Sequence, residues 1–358
     1  MIFCTLFNSR YLDKGLVLFD SLLANVKNFK LYVVAFDSKC FEVLSQYAGE
    51  HLIVISLEEF ESPKLLEAKS NRTAREYCWT CSCYTIKHVL EHYHEKCCTY
   101  IDADMFFYRS PQILFEEIEK DKCDVSIIRH GFTDVWENRR IIRFAGEYCV
   151  EFNTFYATEN GLNVLNWWCE RCFECCTEKM DGVHFGDQKY LDQFKKLFPG
   201  IHIIQHQGAG VAPWNLARFS LDTKASTENE IILKEKHTKQ TWPLIFYHFQ
   251  NIDYISDKEI DIGMYLLYPK NVSKVLRDTI YLPYLKRICE KRKEIKEKHE
   301  IDLDKTQSYI KRISFWSYLS FKIRNERNPF MLLCSLYRLL FRKSKDYIVL
   351  DKLCGKGK

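Results

Sequence analysis

The chain opens with the stretch Ile2-Phe3-Cys4-Thr5-Leu6-Phe7, whose apolar and β-branched residues predict a short buried strand. A polar turn and a helical spacing of leucines over residues 11–26 follow, and a second apolar strand is predicted at residues 29–36. A further helix and a third strand at residues 51–56 continue the alternation. Apolar strands separated by helices indicate a mixed, mainly parallel sheet with helices on both faces. Ligands of such α/β sheets bind beyond the carboxyl ends of the strands.

The alternation of strands and helices continues to about residue 250. Ser110-Pro111 is predicted to open one helix, with serine as the N-cap and proline at the first helical position. Periodicity predicts the other elements as helices at residues 77–94, 161–176 and 189–198, and as strands at residues 98–101, 124–128, 149–156, 201–204, 231–233 and 244–249. Beyond residue 268 the chain becomes dense in Lys, Arg and Glu, which is typical of a solvated helix. We therefore expect an α/β domain at residues 1–268 and a helical, basic extension at residues 269–358.

Composition excludes a disordered chain, because 47% of the 358 residues are hydrophobic and 15% are aromatic. The net charge of +4 is unevenly distributed. From Lys311 to the end there are 12 basic and 3 acidic residues, a net charge of +9, which leaves −5 for the first 310 residues. An acidic body with a basic tail indicates a tail that binds a membrane or nucleic acid, rather than a basic groove in the body.

Sixteen cysteines raise the question of disulfides or a metal site. The apolar start is too short for the core of a signal peptide, and no apolar run reaches the length of a transmembrane helix. We therefore expect a reducing, cytoplasmic compartment and free thiols. Two cysteine clusters, Cys78–Cys83 and Cys169–Cys176, could hold zinc, but both lie in predicted helices without flanking turn glycines. Buried thiols that pack as small hydrophobic side chains are the alternative.

The strongest chemical signal is Asp102-Ala103-Asp104, which follows the predicted strand at residues 98–101. Carboxylates two residues apart at the end of a strand point the same way, so they can share one divalent cation. Mg²⁺ and Mn²⁺ at phosphate sites are held by one or two carboxylates, with phosphate oxygens and water completing the shell. The motif alone is common in solvated turns. Its position after an apolar strand strengthens the prediction of a metal site.

Four further pieces accompany Asp102-x-Asp104, namely residues 2–11, residues 151–155, the pair Asp187-Gln188 and the late His248. In order and spacing they resemble the nucleotide-sugar glycosyltransferases with the GT-A fold, of the glycosyltransferase family 8 type or a sister family of nucleotide-diphospho-sugar transferases. The resemblance covers about residues 1–265. It implies a Rossmann-like GT-A catalytic domain and a Mn²⁺ or Mg²⁺ cofactor.

The resemblance also implies a role for each matching residue. Thr5, Asn8 and Tyr11 would line the pocket for the base and ribose of the nucleotide. Asp102 would contact the ribose as well as the metal, Asp104 would bind the metal, and His248 would be the third protein ligand. Asn153, Asp187 and Gln188 would surround the donor sugar. Gln188 would stabilise an oxocarbenium-like centre during front-face displacement, so that the anomeric configuration is retained.

The local sequence departs from the family pattern and leaves alternatives open. The usual His-x-x-Gly-x-x-Lys-Pro-Trp motif is absent around His248, so the cation that would face the diphosphate is unplaced. His248 could be a core histidine, Asn153 a satisfied strand amide and Asp187 an N-cap. Trp214 lies in an irregular loop, where an exposed ring could stack on a sugar or the loop could simply be packed.

The basic tail contains an aromatic and apolar segment at residues 309–341, which fits an interfacial amphipathic anchor on an anionic membrane. A helical subdomain packed on the body is the alternative, and no nucleic-acid-binding module is recognisable. We therefore expect a hexosyltransferase that moves a sugar, from a UDP-sugar, to a glycan or lipid-linked acceptor in lipopolysaccharide or polysaccharide synthesis. It would be a cytoplasmic protein, peripheral at the inner face of the membrane. The rival functions are a sugar-phosphate nucleotidyltransferase and a non-catalytic membrane-associated scaffold.

Overall fold

The computed structural model describes most of the chain. The described residues are 1–132, 142–179, 181–227, 230–256, 259–263, 272–301, 303 and 347–349. The predicted membrane-binding segment at residues 309–341 lies outside them.

Nine helices have both ends within the described residues, and they are numbered α1 to α9 in chain order. The helices are α1 Leu12–Asn25, α2 Ser38–Ser45, α3 Leu57–Phe60, α4 Pro63–Ser70, α5 Ala74–His92, α6 Gln112–Asp121, α7 Glu159–Glu174, α8 Leu191–Leu197 and α9 Lys274–His299. Short 3₁₀ turns occupy Ser9–Tyr11, Gln188–Tyr190 and Leu216–Arg218.

The described residues also form fifteen strands. The first eight are β1 Ile2–Phe7, β2 Lys30–Ala35, β3 Leu52–Ile55, β4 Cys97–Ile101, β5 Met105–Phe107, β6 Val125–Arg129, β7 Tyr148–Tyr156 and β8 Ile201–Ile203. The later strands are β9 Phe219–Leu221, β10 Ile232–Glu235, β11 Thr241–Pro243, β12 Phe246–His248, β13 Asp253–Ser256, β14 Glu259–Asp261 and β15 Tyr347–Val349.

Seven strands form the main sheet in the order β3-β2-β1-β4-β7-β6-β8. The pairs β3–β2, β2–β1, β1–β4 and β6–β8 are parallel, whereas β7 runs antiparallel to both β4 and β6. The predicted mixed, mainly parallel sheet is therefore confirmed. Because β7 is reversed, its amino-terminal end lies at the same edge of the sheet as the carboxyl ends of β1, β2 and β4.

Helices cover both faces of the main sheet, as predicted. Successive side chains of β1 point to opposite faces. Cys4 belongs to a buried core that includes apolar residues of α5, α7 and α8. On the other face, the ring of Phe3 lies 6.0 Å from that of Phe115 on α6 and 6.5 Å from that of Phe29. Phe29 in turn contacts Phe19 of α1, with ring centroids 6.2 Å apart.

Most element boundaries predicted from the sequence fall within a few residues of those in the structure. The helix predicted to open at Ser110-Pro111 begins at Gln112, with Pro111 in the N-cap position. The predicted helix at residues 189–198 is a 3₁₀ turn followed by α8. The hairpin of β10 and β11 was predicted only as one strand, since its second strand is three residues long.

The described chain divides into two compact units. In the second unit, β13, β14 and β15 pair antiparallel, and the ring of Phe249 stacks on Tyr284 of α9 at a centroid distance of 3.7 Å. The predicted domain boundary between residues 268 and 269 stays a prediction. The first unit comprises Met1–Val211 and Leu221–His248, and the second comprises Ala212–Ser220 and Phe249–Lys358.

Within the part of the chain that the structure describes, no helix combines the length and the apolar character needed to cross a membrane.

Candidate functional site

Asp102 and Asp104 follow β4 at the edge of the main sheet where the parallel strands end. The backbone turns sharply there, since the amide of Met105 donates to the carbonyl of Asp102 at 3.2 Å. This turn starts β5, which pairs antiparallel with β12 so that His248 stands opposite Met105. The pairing of two three-residue strands therefore brings a histidine from residue 248 next to carboxylates near residue 100.

The three predicted metal ligands lie together. Nε2 of His248 is 3.1 Å from Oδ1 of Asp104 and 3.7 Å from Oδ2 of Asp102. The Asp102 side chain is 30% exposed and that of Asp104 13%, whereas that of His248 is 7% exposed. The carboxylates are therefore reachable from solvent, while the imidazole approaches them from the protein side.

Glu151 on β7 is a site residue that the sequence analysis did not assign. Its carboxylate is fully buried, and its Oε2 lies 2.7 Å from Nδ1 of His248. The other oxygen, Oε1, is buried without a hydrogen-bond partner among the described atoms. A glutamate inside a strand whose residues are otherwise nearly all buried was the available signal, because glutamate is almost never fully buried unless it is paired.

The carboxylates and the imidazole shift one another's pKa. Burial raises the pKa of Asp102 to about 6, against the opposing charge of His248. Burial would also raise the pKa of Asp104, but the charge and hydrogen bond of His248 and the charge of Lys14 lower it. Burial favours the neutral form of His248, yet the charge and hydrogen bond of Asp104, followed by the hydrogen bonds with Cys149 and Glu151, raise its pKa well above the ordinary value. The metal-free site thus holds Asp104 ionised and His248 in its charged form through their mutual attraction.

Lys14 is a second residue near the metal ligands that the sequence analysis missed. It lies in the first turn of α1 and is only 5% exposed. Its Nζ sits over the ring of Tyr11, 4.3 Å from the centroid, and its charge acts on Asp104. A buried lysine at the carboxyl end of β1 places a cation beside the predicted nucleotide pocket.

Asp187 is a buried carboxylate on the amino-terminal side of the turn Gln188–Tyr190. Its side chain does not cap that turn but accepts a hydrogen bond from the hydroxyl of Ser82 on α5. The indole of Trp168 donates to its backbone carbonyl at 2.9 Å, which fixes the backbone there. Burial raises the pKa of Asp187 to about 7, and the charge of Asp102 adds to the shift. The N-cap alternative is therefore not favoured.

Gln188 is half-buried, and its Nε2 donates to the carbonyl of Ala145 at 2.7 Å. This bond fixes the orientation of the side-chain amide, so that its carbonyl oxygen points away from Ala145. The same segment carries the buried Asp187, so the two predicted sugar-binding residues share one locally fixed turn.

Three of the predicted donor-binding residues lie at the carboxyl end of β1, in different environments. Asn8 is exposed, and its Oδ1 accepts from the amide of Arg10 at 3.1 Å. Tyr11 is 40% exposed under Lys14, whereas Thr5 is fully buried. The carboxylate of Asp37, after β2, accepts from the amide of Ser9 at 2.9 Å and holds the turn in place. Their contacts with a nucleotide stay a prediction.

Asn153 is fully buried on β7, opposite Tyr100 of β4. In the amide orientation that satisfies its neighbours, its nitrogen donates to the carbonyl of Cys149 at 3.2 Å. This favours the alternative of a satisfied strand amide. Trp214 is 2% exposed, so it offers no free face for stacking on a sugar.

Neither cysteine cluster gathers three ligand atoms, among the described residues, closely enough for one ion. Burial instead raises the pKa of Cys83 and of Cys169 well above the ordinary value, so these thiols are protonated and pack in the core. Thirteen cysteines of the described residues are free, in line with the prediction. Cys289 is an exception, because it is disulfide-bonded.

Two proteins of Bacillus subtilis strain 168 are similar to the chain over most of its length. YfnF is 31% identical over 263 residues, which are 72% of this chain and 84% of YfnF. The chain belongs to the YfnF family. YfnD is similar as well, with 29% identity over 292 residues, 79% of this chain and 87% of YfnD. Both relatives are named as uncharacterized proteins, so membership of the YfnF family carries no activity with it. No protein-family model matches the chain.

Solved structures of glycosyltransferases are similar to this chain as well. The galactosyltransferase LgtC, in complex with donor and acceptor sugar analogues, has a TM-score of 0.48 at 13% identity, over 70% of this chain and 87% of LgtC. The glycosyltransferase GlyE of Streptococcus pneumoniae TIGR4 has a TM-score of 0.41 at 14% identity, over 59% of this chain and 46% of GlyE. Mouse xyloside xylosyltransferase 1 has a TM-score of 0.42 at 14% identity, over 70% of this chain and 98% of the xylosyltransferase. At these values the similarities alone assign no activity or substrate.

Proposed function

We propose that this protein is a metal-dependent glycosyltransferase that moves a sugar from a nucleotide diphosphate donor, a UDP-sugar, to a glycan or lipid-linked acceptor. The observation that carries the proposal is the approach of Nε2 of His248 to Oδ1 of Asp104, at 3.1 Å, and to Oδ2 of Asp102, at 3.7 Å. It occurs at the sheet edge where α/β proteins bind nucleotides.

The residues present fit Mn²⁺ or Mg²⁺. Adjacent ligands of an octahedral ion with bonds of about 2.1 Å lie about 3 Å apart, which is close to the 3.1 Å between Nε2 of His248 and Oδ1 of Asp104. Two carboxylates and one imidazole suit Mn²⁺ better than zinc, whose sites are richer in imidazole and thiolate. A bound ion would neutralise charge on the diphosphate leaving group.

The other side chains of this edge supply binding and orientation. Glu151 accepts the hydrogen bond from Nδ1 of His248, which leaves Nε2 as the atom that faces Asp104. Asn8 and Tyr11 lie at the end of β1, where the nucleoside would bind. The family motif supplies a lysine near the carboxyl end of the domain to face the diphosphate. Lys14 would supply that positive charge here.

Asp187 and Gln188 are the proposed sugar-binding pair. Asp187 is held by Ser82, and Gln188 is oriented by its hydrogen bond to Ala145. A fixed amide carbonyl beside the anomeric carbon would stabilise positive charge there, and fixed dipoles stabilise developing charge without reorganisation. Retention of the anomeric configuration is part of this proposal.

Membrane association through the tail belongs to the proposal too. Its support is the sequence alone, since Lys311 to the end carries a net charge of +9 interleaved with aromatic residues. Each Lys or Arg close to an anionic surface contributes about 1 kcal/mol. An acceptor linked to a lipid would then be presented at the same surface.

Thermal-shift measurements test the proposal. The full-length protein is melted with UDP, GDP, CDP and their sugars, each with and without Mn²⁺. We expect a Mn²⁺-dependent rise in Tm with one nucleotide class, and loss of that rise in Asp104→Asn. Glu116→Gln, an exposed substitution on α6, is the control and should behave as wild type. No shift with any nucleotide, or an unchanged shift in Asp104→Asn, would reject the proposed site.

A further inference from the structure

A second group of metal-ligating side chains, which the proposed function does not use, joins α3 to the end of α5. It consists of Glu59 from α3 and of His88 and His92, which are four residues apart on α5. Residues at i and i+4 share one face of a helix. Their imidazoles stack with a centroid distance of 4.9 Å and an interplanar angle of 16°.

The distances between the nitrogen and oxygen atoms of this group match those between two ligands of one metal ion better than those of hydrogen bonds. Oε1 of Glu59 is 3.5 Å from Nε2 of His88 and 3.8 Å from Nε2 of His92. Hydrogen bonds between nitrogen and oxygen are about 2.7–3.2 Å long. Two ligands of a tetrahedral zinc ion, with bonds of about 2.0–2.2 Å, lie about 3.4 Å apart. All three ligand atoms lie within 4.8 Å of one another.

The buried nitrogen of His88 is an independent observation. Its Nε2 has no hydrogen-bond partner among the described atoms, although its side chain is only 14% exposed. A buried polar atom without a partner costs free energy unless another group satisfies it. A cation between His88 and Glu59 would do so.

The surroundings of the three ligands favour a cation. The hydroxyl of Tyr93 donates to Oε1 of Glu59 at 3.0 Å, so the carboxylate is oriented by a second residue, as ligating carboxylates usually are. His92 is the last residue of α5, and the carboxyl end of a helix attracts positive charge. The ring of Phe60 packs edge-on against His88, with centroids 5.7 Å apart, which restricts that imidazole.

We propose that Glu59, His88 and His92 form a zinc site with one coordination position left for water. Two imidazoles and one carboxylate suit Zn²⁺ in tetrahedral geometry, whereas the carboxylate-rich pair after β4 suits Mn²⁺ or Mg²⁺. The ion would tie α3, which follows β3, to the carboxyl end of the helix that leads into β4. This site is independent of the proposed function.

Zinc and cobalt titrations of the full-length protein test the site. The thirteen free thiols of the described residues are competing ligands, so Co²⁺ is used as a probe, because thiolate ligation adds a charge-transfer band that imidazole and carboxylate ligands lack. The variants are His92→Gln, which alters a 61% exposed side chain, and Glu59→Gln, which keeps an acceptor for Tyr93. His237→Gln, an exposed histidine in another element, and Asp104→Asn are the controls.

Any Co²⁺ held by Asp102 and Asp104 would be six-coordinate and absorb weakly, and it would be lost in Asp104→Asn. We expect wild type and both controls to bind one further equivalent of Co²⁺, with a tetrahedral visible spectrum and no thiolate band. The same ion should bind at least about tenfold more weakly to His92→Gln and Glu59→Gln. Zinc should raise Tm in wild type and Asp104→Asn but not in His92→Gln. An unchanged affinity in His92→Gln would overturn the site, and so would a thiolate band in wild type.

Discussion

The buried carboxylate of Glu151 accepts a hydrogen bond from Nδ1 of His248 at 2.7 Å, while Nε2 of the same ring faces Asp104 at 3.1 Å. An ionised carboxylate can only accept, so Nδ1 of His248 donates to Glu151, and Nε2 would become the ligand atom when a metal ion replaces its proton. Two strands that are distant in sequence thus determine the orientation of one imidazole, because β12 carries His248 and β7 carries Glu151. We therefore propose that Glu151 is a positioning residue for His248.

Glu151→Gln should weaken Mn²⁺ binding by about 10–100-fold, because the negative charge behind His248, which makes the imidazole a stronger ligand, is lost while an isosteric side chain keeps the fold. Mn²⁺ binding is measured by titration with detection of the free ion by electron paramagnetic resonance. Glu147→Gln, just before β7, is the matched control and removes only an exposed ion pair with Arg129. Equal Mn²⁺ affinity of the two variants would show that Glu151 does not position His248.

Asp187→Asn should stabilise the protein. Burial raises the pKa of Asp187 to about 7 in the folded state from 3.8, so folding is opposed once this carboxylate ionises. That cost is absent below about pH 4, grows up to about pH 7 and stays constant above it. The variant should therefore gain a few kcal/mol of unfolding free energy at pH 8 and little at pH 4.

Urea unfolding of wild type and Asp187→Asn at both pH values, in the presence of a chelator, measures this gain. The amide can still accept from the hydroxyl of Ser82, so the local contact is kept. The same variant should lose transferase activity if Asp187 acts on the donor sugar, which would be a trade of stability for function. A variant that is less stable than wild type at pH 8 contradicts the prediction.

His202→Gln should destabilise the protein more at pH 6 than at pH 9. Its imidazole lies 2.8 Å from Glu117 and 2.6 Å from Asp121, and the hydrogen bond to Glu117 is the main cause that raises its pKa above the ordinary value of 6.5. A raised histidine pKa stabilises the fold fully below about pH 6.5, and this contribution disappears as pH rises through the folded-state pKa.

The free energy of unfolding of His202→Gln should be about 1–3 kcal/mol lower than that of wild type at pH 6, the value typical of hydrogen bonds between charged groups. Urea unfolding at the two pH values measures it, with His237→Gln as the control for an exposed histidine. The same loss at pH 6 and pH 9 would mean that His202 contributes through packing alone.

Gly15→Ala should destabilise the protein although alanine favours helices. A Cβ at Gly15, in the first turn of α1, would overlap the ring of Phe7 at the end of β1. The helical preference gains up to about 1 kcal/mol, whereas overpacking of a core costs about 1–3 kcal/mol. Gly49→Ala is the matched control, because a Cβ there meets nothing within 4 Å. Thermal unfolding should show a lower Tm only in the first variant.

The sheet could be predicted from the sequence because its strands are apolar throughout and its helices are periodic. Asp102 and Asp104 could be predicted as a pair for the same reason, since their place depends only on where β4 ends. The approach of His248 depends on the pairing of β12 with β5, two three-residue strands whose register no local pattern specifies. That His248 joins the two aspartates was expected from a family resemblance, not from periodicity.

Glu151 and Lys14 stand out as charged residues at buried positions, but the sequence does not show what they contact. Their roles follow from contacts with other segments. Glu151 contacts His248, and Lys14 contacts the ring of Tyr11. Trp214 is a loop residue whose burial could not be predicted either. Its loop composition left both an exposed and a packed ring open, and the ring is buried, since composition does not show what packs on the loop.

The reversal of β7 divides the candidate site into adjustable and fixed parts. β1, β2 and β4 reach it through the loops that follow them, and such loops tolerate changes in length. β7 contributes Glu151 from within the strand itself, so a shift of the strand register by one residue would present Val150 or Phe152 in its place. Homologues can therefore diverge at the turns around the nucleotide pocket, whereas an insertion or deletion within β7 would exchange the residue behind His248 for an apolar one.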